Sequence, residues 1–204
     1  MKKRNVFLML VMAVIMLFTG CAKEEKVNPF LGKWTGSVDM TEHVTTGMSV
    51  GNSDLSEFAK FENLTFTLVF EFTEDKVALH VDEASKQQFF VNMEAGVVKM
   101  VEAMVADAAT KENTTVEEIY KGMGVTRDQY VQSVVEPLHI EEMVNRMAEA
   151  LELEGSYEYN DEKIVVLYED KTYEEMKYAL GLEDLTITVS DGTNAFVIPC
   201  TKIN

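Results

Sequence analysis

The stretch Leu64-Thr-Phe-Thr-Leu-Val-Phe-Glu-Phe72 alternates large apolar side chains with Thr65, Thr67, Val69 and Glu71. A period of two puts Leu64, Phe66, Leu68, Phe70 and Phe72 on one face of a β-strand, the face that seeks a core. The same alternation runs through Trp34, Gly36, Val38 and Met40 before it, and through Val77, Leu79 and Val81 after it. Thr73 to Lys76 supply the residues of a hairpin turn, so three antiparallel strands are expected. Between the first two lies Thr41 to Glu62, with Gly47, Gly51 and a short helix expected from Ser53 around Leu55, Phe58 and Ala59.

From about Glu83 the period lengthens. Phe89, Met93, Val97, Met100, Val101, Met104, Val105 and Ala108 recur at steps of three and four, which draws one apolar stripe along a helix. Thr114 with Glu117 reads as a capping box for a second helix through Val116, Ile119, Tyr120 and Met123, stopped by Gly122 and Gly124. Thr126 with Gln129 repeats the signal ahead of Tyr130, Val131, Val134 and Val135, and Pro137 breaks or restarts that helix. A last helix carries Ile140, Met143, Val144, Met147 and Leu151, with Gly155 expected to end it.

Alternation then returns in short pieces: Tyr157/Tyr159, Ile164/Val166/Tyr168, Met176/Tyr178/Leu180, Leu185/Ile187/Val189 and Phe196/Ile198/Cys200. Asp191-Gly192 between the last two is a two-residue hairpin signal. The segment Tyr173 to Leu180 fits a strand or a short helix. Three strands before the helices and five after them can close into a barrel, which removes the exposed edges of an open sheet.

The N-terminus carries a different message. Lys2, Lys3 and Arg4 precede the uncharged run Val6 to Phe18, the outline of a secretion signal. A permanent span needs about 17–25 apolar residues, so this run is expected to be removed. Thr19 and Gly20 before Cys21 resemble the lipobox of bacterial lipoproteins, with Phe18 where that family usually has leucine. The resemblance implies that the Cys21 thiol receives a diacylglyceryl group, that cleavage occurs before Cys21, and that its new amino terminus is acylated, as by palmitate. The alternative is an ordinary signal peptide with an incidental cysteine. Ala22 to Pro29 is short and polar, a tether reaching at most about 28 Å. The expected division is a signal peptide at 1–20, a lipidated tether at 21–29, and a barrel domain at 30–204 with a helical insertion at about 83–154.

The charge narrows the choice of partners. The chain of 204 residues has a formal net charge of −17, and removing residues 1–20 takes away three basic and no acidic residues, leaving about −20. Nucleic acid is excluded as a partner, since affinity there rests on neutralising phosphates. An anionic lipid surface repels such a domain for the same reason, so membrane contact is expected through the Cys21 lipid on the extracytoplasmic side. Cys200 is the only thiol left in the mature chain, so no internal disulfide forms, and a small buried apolar role is expected of it.

Phe30-Leu-Gly-Lys-Trp34 resembles the G-x-W entrance of the calycin superfamily, the lipocalins and fatty-acid-binding proteins. The overall plan is also similar to small lipobox-bearing lipocalin-like lipoproteins with a helical insertion. The resemblance implies an α+β fold, an eight-stranded antiparallel barrel in which Gly32 and Trp34 form the plugged end and a small apolar ligand is often held. It also implies that Lys202 covers Trp34, where lipocalins place an arginine; lysine lacks the stacking guanidinium.

The inward lists are dominated by Phe, Tyr, Leu, Ile and Met, with Gly36 nearly the only small member, so a packed interior is expected. Any ligand there would be neutral or held by the hydroxyls of Tyr157, Tyr159, Tyr168 and Tyr178, because no Arg or Lys lies on those faces. Met93, Met100, Met104, Met123, Met143 and Met147 either pack together or form an adaptable groove. Two functions are compatible with these features: a membrane-tethered binder of a small apolar molecule, or a structural or interaction lipoprotein whose helices meet another envelope protein. His43, His80 and His139 fall in separate elements with no metal-ligand spacing, and the pairs Glu117-Glu118, Glu141-Glu142 and Glu174-Glu175 read as exposed helix charges. Neither an enzyme nor a metal or other cofactor is expected.

Overall fold

The computed structural model describes residues 28–47, 49–50, 53–190 and 195–203. Residues 1–27, which hold Cys21, and the Asp191-Gly192 pair lie outside the described residues. The chain divides into two units, Met1–Phe30 and Leu31–Asn204. Of the first, the described part is a turn in which the Phe30 amide donates to Asn28 Oδ1 at 3.1 Å. The second holds the strands and helices.

Strand β1 (Gly32–Asp39) is followed by helix α1 (Thr41–Gly47) and a small ribbon of β2 (Ser49–Val50) and β3 (Ser53–Asp54). Then come β4 (Thr65–Phe72), β5 (Lys76–Val81) and four helices: α2 (Glu83–Lys111), α3 (Val116–Met123), α4 (Arg127–Val135) and α5 (Ile140–Glu149). A 3-10 turn, Glu136–Leu138, joins the last two. Strands β6 (Leu153–Tyr159), β7 (Lys163–Leu167), β8 (Tyr173–Leu180), β9 (Asp184–Ser190) and β10 (Ala195–Ile203) complete the chain. Eight strands close in the order β1-β10-β9-β8-β7-β6-β5-β4. The result is an α+β, lipocalin-like antiparallel barrel with its helical insertion between the third and fourth barrel strands, as the alternation and strand count predict.

Strand β4 sets the geometry. Its Phe66, Leu68, Phe70 and Phe72 are buried while the intervening side chains are half-buried. It pairs with β1 along its whole length, from Gly32 opposite Phe72 to Asp39 opposite Thr65, so a one-residue slip would turn the apolar set of one of the two strands outward. The β4–β5 turn is tied by the Thr73 amide donating to Lys76 O at 2.8 Å and the Lys76 amide donating to Thr73 Oγ1 at 3.0 Å.

The insertion leaves from the end of β5. Asp82 caps α2 by accepting from the Ser85 amide at 2.9 Å, and Ser85 Oγ accepts from the Thr67 amide at 3.0 Å, which ties the helix start to β4. Phe89 of α2 stacks on Phe66 with ring centroids 4.1 Å apart, so the long helix lies on the end of the barrel core. Helices α3, α4 and α5 pack against α2, and Arg127 at the start of α4 is ion-paired with Glu102 of α2 through Nε at 2.6 Å.

Local expectations are corrected at four places. The helix expected from Ser53 is a ribbon strand plus one turn, in which the Phe58 and Ala59 amides both donate to Leu55 O. The helix of this region forms instead at Thr41, where Asp39 Oδ1 accepts from the Thr41 amide at 2.8 Å and Val44 is buried. The α3 capping box is Thr115 with Glu118, one residue later than the Thr114 and Glu117 spacing suggests. Thr114 donates its hydroxyl to Glu118 Oε2 at 2.5 Å, and that bond, with the Thr115 amide, holds the Glu118 carboxyl below the usual carboxylate range. Gly155 does not end a helix: α5 stops at Glu149, and Gly155 lies inside β6, where a Cβ would stand 2.6 Å from Leu167 O. The ambiguous Tyr173–Leu180 segment is a strand because β7 and β9 pair with it on both sides and bury Met176, so Glu174 and Glu175 are strand charges and not helix charges. The Thr126 and Gln129 capping box and the left-handed Gly124 cap stand as predicted.

Candidate functional site

One end of the barrel is built around Trp34, which is 2% exposed and stands opposite Lys202 in the β1–β10 register. Lys202 Nζ sits 5.3 Å from the centroid of the Trp34 ring, a cation–π contact over an otherwise buried indole. Gly32 makes this cover fit. Its φ is +111°, a conformation that side-chain-bearing residues rarely adopt, and a Cβ there would stand 3.2 Å from Lys202 Cε. Gly32, Trp34 and Lys202 therefore form one plug.

Beyond the plug the barrel is filled. Phe66, Phe70, Val77, Ile164, Val166, Met176, Leu185 and Ile187 have no accessible surface. A side chain lining a water-sized hollow keeps surface facing it, so no such space adjoins these groups. The gap opened by Gly36 is occupied: a Cβ there would lie 2.6 Å from Ile198 Cγ2 and 2.8 Å from Cys200 Sγ. Cys200 is 1% exposed, and burial pushes its thiol up to about 11. It stays a neutral apolar filler at neutral pH.

The four tyrosines do not converge. Tyr157 points its hydroxyl at the β4–β5 turn and donates to Thr73 O at 3.0 Å, while its ring meets Phe72 edge-on at 5.3 Å. Tyr159 lies 6.3 Å from Tyr157, ring to ring. Tyr178 donates to Asn160 O at 2.7 Å, fastening the β6–β7 turn. These three gather near the turns at the Trp34 end. Tyr168 follows the far end of β7 and donates to Glu174 Oε2 at 2.7 Å; burial first, then that carboxylate, push its hydroxyl up to about 12.

His43 on α1, His80 on β5 and His139 between α4 and α5 are exposed and lie on separate elements. Among the described residues no group of three His, Cys, Asp or Glu side chains is placed to hold a metal ion, and no helix is long and apolar enough to cross a membrane. The methionines divide. Met93 and Met100 are buried in the α2 stripe, Met104 and Met123 are exposed, and Met143 and Met147 line a hollow on the outer side of α5 with Leu138.

The helical insertion carries a concave surface of its own. A crevice of about 390 Å³ opens between α2, the 3-10 turn and α5, over Phe90, Val135 and Ile140, with Glu94, Glu136 and Glu141 at its rim. A neighbouring hollow of about 510 Å³ shares Glu94, Val135 and Glu136 and continues between α2 and α4 over Val98 and Val131, past Asp128. Sequence reasoning missed this groove because Glu141 reads as part of an exposed charge pair, and Glu94 and Glu136 stand in no charge run. The available signal was the step of four joining Phe90, Glu94 and Val98 on α2.

Comparison of the chain with models of protein families, with curated proteins and with solved structures finds no match.

Proposed function

We propose that the protein is a lipid-anchored lipoprotein on the extracytoplasmic face of the membrane, with a ligand-free barrel as its carrier and a helical insertion that meets another envelope protein. The observation that carries this reading is the filled interior: Phe66, Phe70, Ile164, Met176 and Ile187 leave no water-sized space beside them. An eight-stranded barrel either fills with side chains or holds one small ligand, and here the side chains take the room. The hydroxyls of Tyr157, Tyr168 and Tyr178 are engaged with Thr73 O, Glu174 and Asn160 O, which supports a structural use of them. The acidic charge and the Lys-Lys-Arg start ahead of an apolar run and Cys21 support anchoring by acyl chains on Cys21.

Native mass spectrometry of the full-length protein, purified in detergent without delipidation, tests this reading. The expected spectrum holds the polypeptide beginning at Cys21 with its acyl chains and no other small molecule. A stoichiometric apolar molecule released only on unfolding would overturn the ligand-free reading of the barrel.

A further inference from the structure

We propose that the crevice between α2, α4 and α5 is the docking groove for a cationic amphipathic helix of a partner protein. This inference rests on the interaction reading of the insertion and names the chemistry of the partner. The floor is apolar: Phe90 and Val98 on α2, Val131 and Val135 on α4, and Ile140 at the start of α5. Helix α4 has no fully buried residue, so its valines present surface that its own fold leaves partly uncovered. Phe90, Glu94 and Val98 advance by one turn each, spanning about 12 Å of helix axis. That is the reach of two to three turns of an opposing helix with anchors at i, i+3 or i+4 and i+7.

The rim decides the sign of the partner. Some surface acids of the insertion have cations at hand: Glu83 pairs with Lys86, Asp107 with Lys111, and Glu142, which also lines the crevice, with Arg146. Glu94, Glu136 and Glu141 make no ion pair among the described residues. Three uncompensated carboxylates around an apolar floor match a helix with an apolar stripe flanked by Lys or Arg. They repel fatty-acid carboxylates and anionic lipid headgroups. A second copy of this chain, itself at −17, would meet like charge with like.

The test uses full-length protein in nanodiscs of phosphatidylcholine and a fluorescent Leu/Lys amphipathic helix of about 18 residues, five turns, followed by anisotropy against nanodiscs without protein. Binding to the wild type is expected. The variant E94Q/E136Q/E141Q should bind about tenfold more weakly, while E112Q/E117Q/E158Q, which removes the same charge elsewhere, should change affinity less than about twofold. Val135→Asp should also abolish binding, with circular dichroism confirming that it folds. Equal losses in the two triple variants, binding by Val135→Asp, or no binding to the wild type would each overturn the proposal. Its failure is separable from failure of the ligand-free-barrel reading, since a ligand found in the native mass spectrum concerns the barrel and not the groove.

Discussion

Trp34→Ala is expected to destabilise the folded chain by about 3–5 kcal/mol, the range for deleting a buried aromatic side chain. For a chain of this size that corresponds to a fall in Tm of roughly 6–20 °C. The indole is 2% exposed, closes the barrel between β1 and β10, and is covered by Lys202 at 5.3 Å. Its removal leaves a void that β-strands held in register on both sides cannot collapse to fill. The companion change Lys202→Met isolates the cover and should cost about 0.5–1 kcal/mol, the scale of an exposed cation–π contact. Because Trp34 is the only tryptophan, unfolding is best followed by far-ultraviolet circular dichroism in urea. A loss below about 1 kcal/mol for Trp34→Ala, within the range of surface substitutions and mild core changes, would show that the residue does not plug the barrel.

Cys21→Ala is expected to transfer the protein from the membrane fraction to the soluble extracytoplasmic fraction, or to leave it as an unprocessed precursor. One acyl chain gives an association constant of only about 10⁴ M⁻¹ with membranes, whereas two or more hold stably. Without them, a globule near −20 has nothing with which to grip an anionic surface. Cell fractionation with intact-mass measurement checks this. A correctly processed variant that stays on the membrane, or a wild-type product lacking acyl mass at Cys21, would contradict the anchor.

Much of this architecture is legible in the sequence because the barrel imposes a strict period of two. Phe66 to Phe72 and Val77 to Val81 could face inward in only one register, and three strands before the helices plus five after them are enough to close a barrel. The α2 stripe is equally plain, since Phe89, Met93, Val97 and Met100 lie one turn apart and are all buried. The departures fall where local and tertiary forces compete. Gly155 carries the local mark of a helix stop, but it is required where β6 passes within 2.6 Å of a would-be Cβ contact with Leu167 O. Ser53 offers a local cap, but Ser53 and Asp54 pair with Val50 and Ser49 in the ribbon, so only a single turn forms after them at Leu55.

The site is less legible than the fold. Trp34 and Lys202 come together because strand pairing fixes them opposite one another, with Gly32 two residues along the same strand. The tyrosines share an alternation pattern but not a destination. Their hydroxyls reach turn carbonyls and a carboxylate at different heights of the barrel, which a period of two cannot encode. The acidic groove needs three helices and a 3-10 turn to assemble, and Glu94, Glu136 and Glu141 are up to 47 positions apart in the chain. Only packing against α2 gathers them.

The filled barrel is tested most directly by a crystal structure determined under xenon pressure, since dry apolar cavities take up xenon. A filled interior predicts no ordered xenon atom among Phe70, Ile164, Met176 and Ile187, whose surfaces are closed to a water-sized probe. A well-occupied xenon site inside the ring of these four residues would contradict it and return the barrel to the role of a ligand carrier.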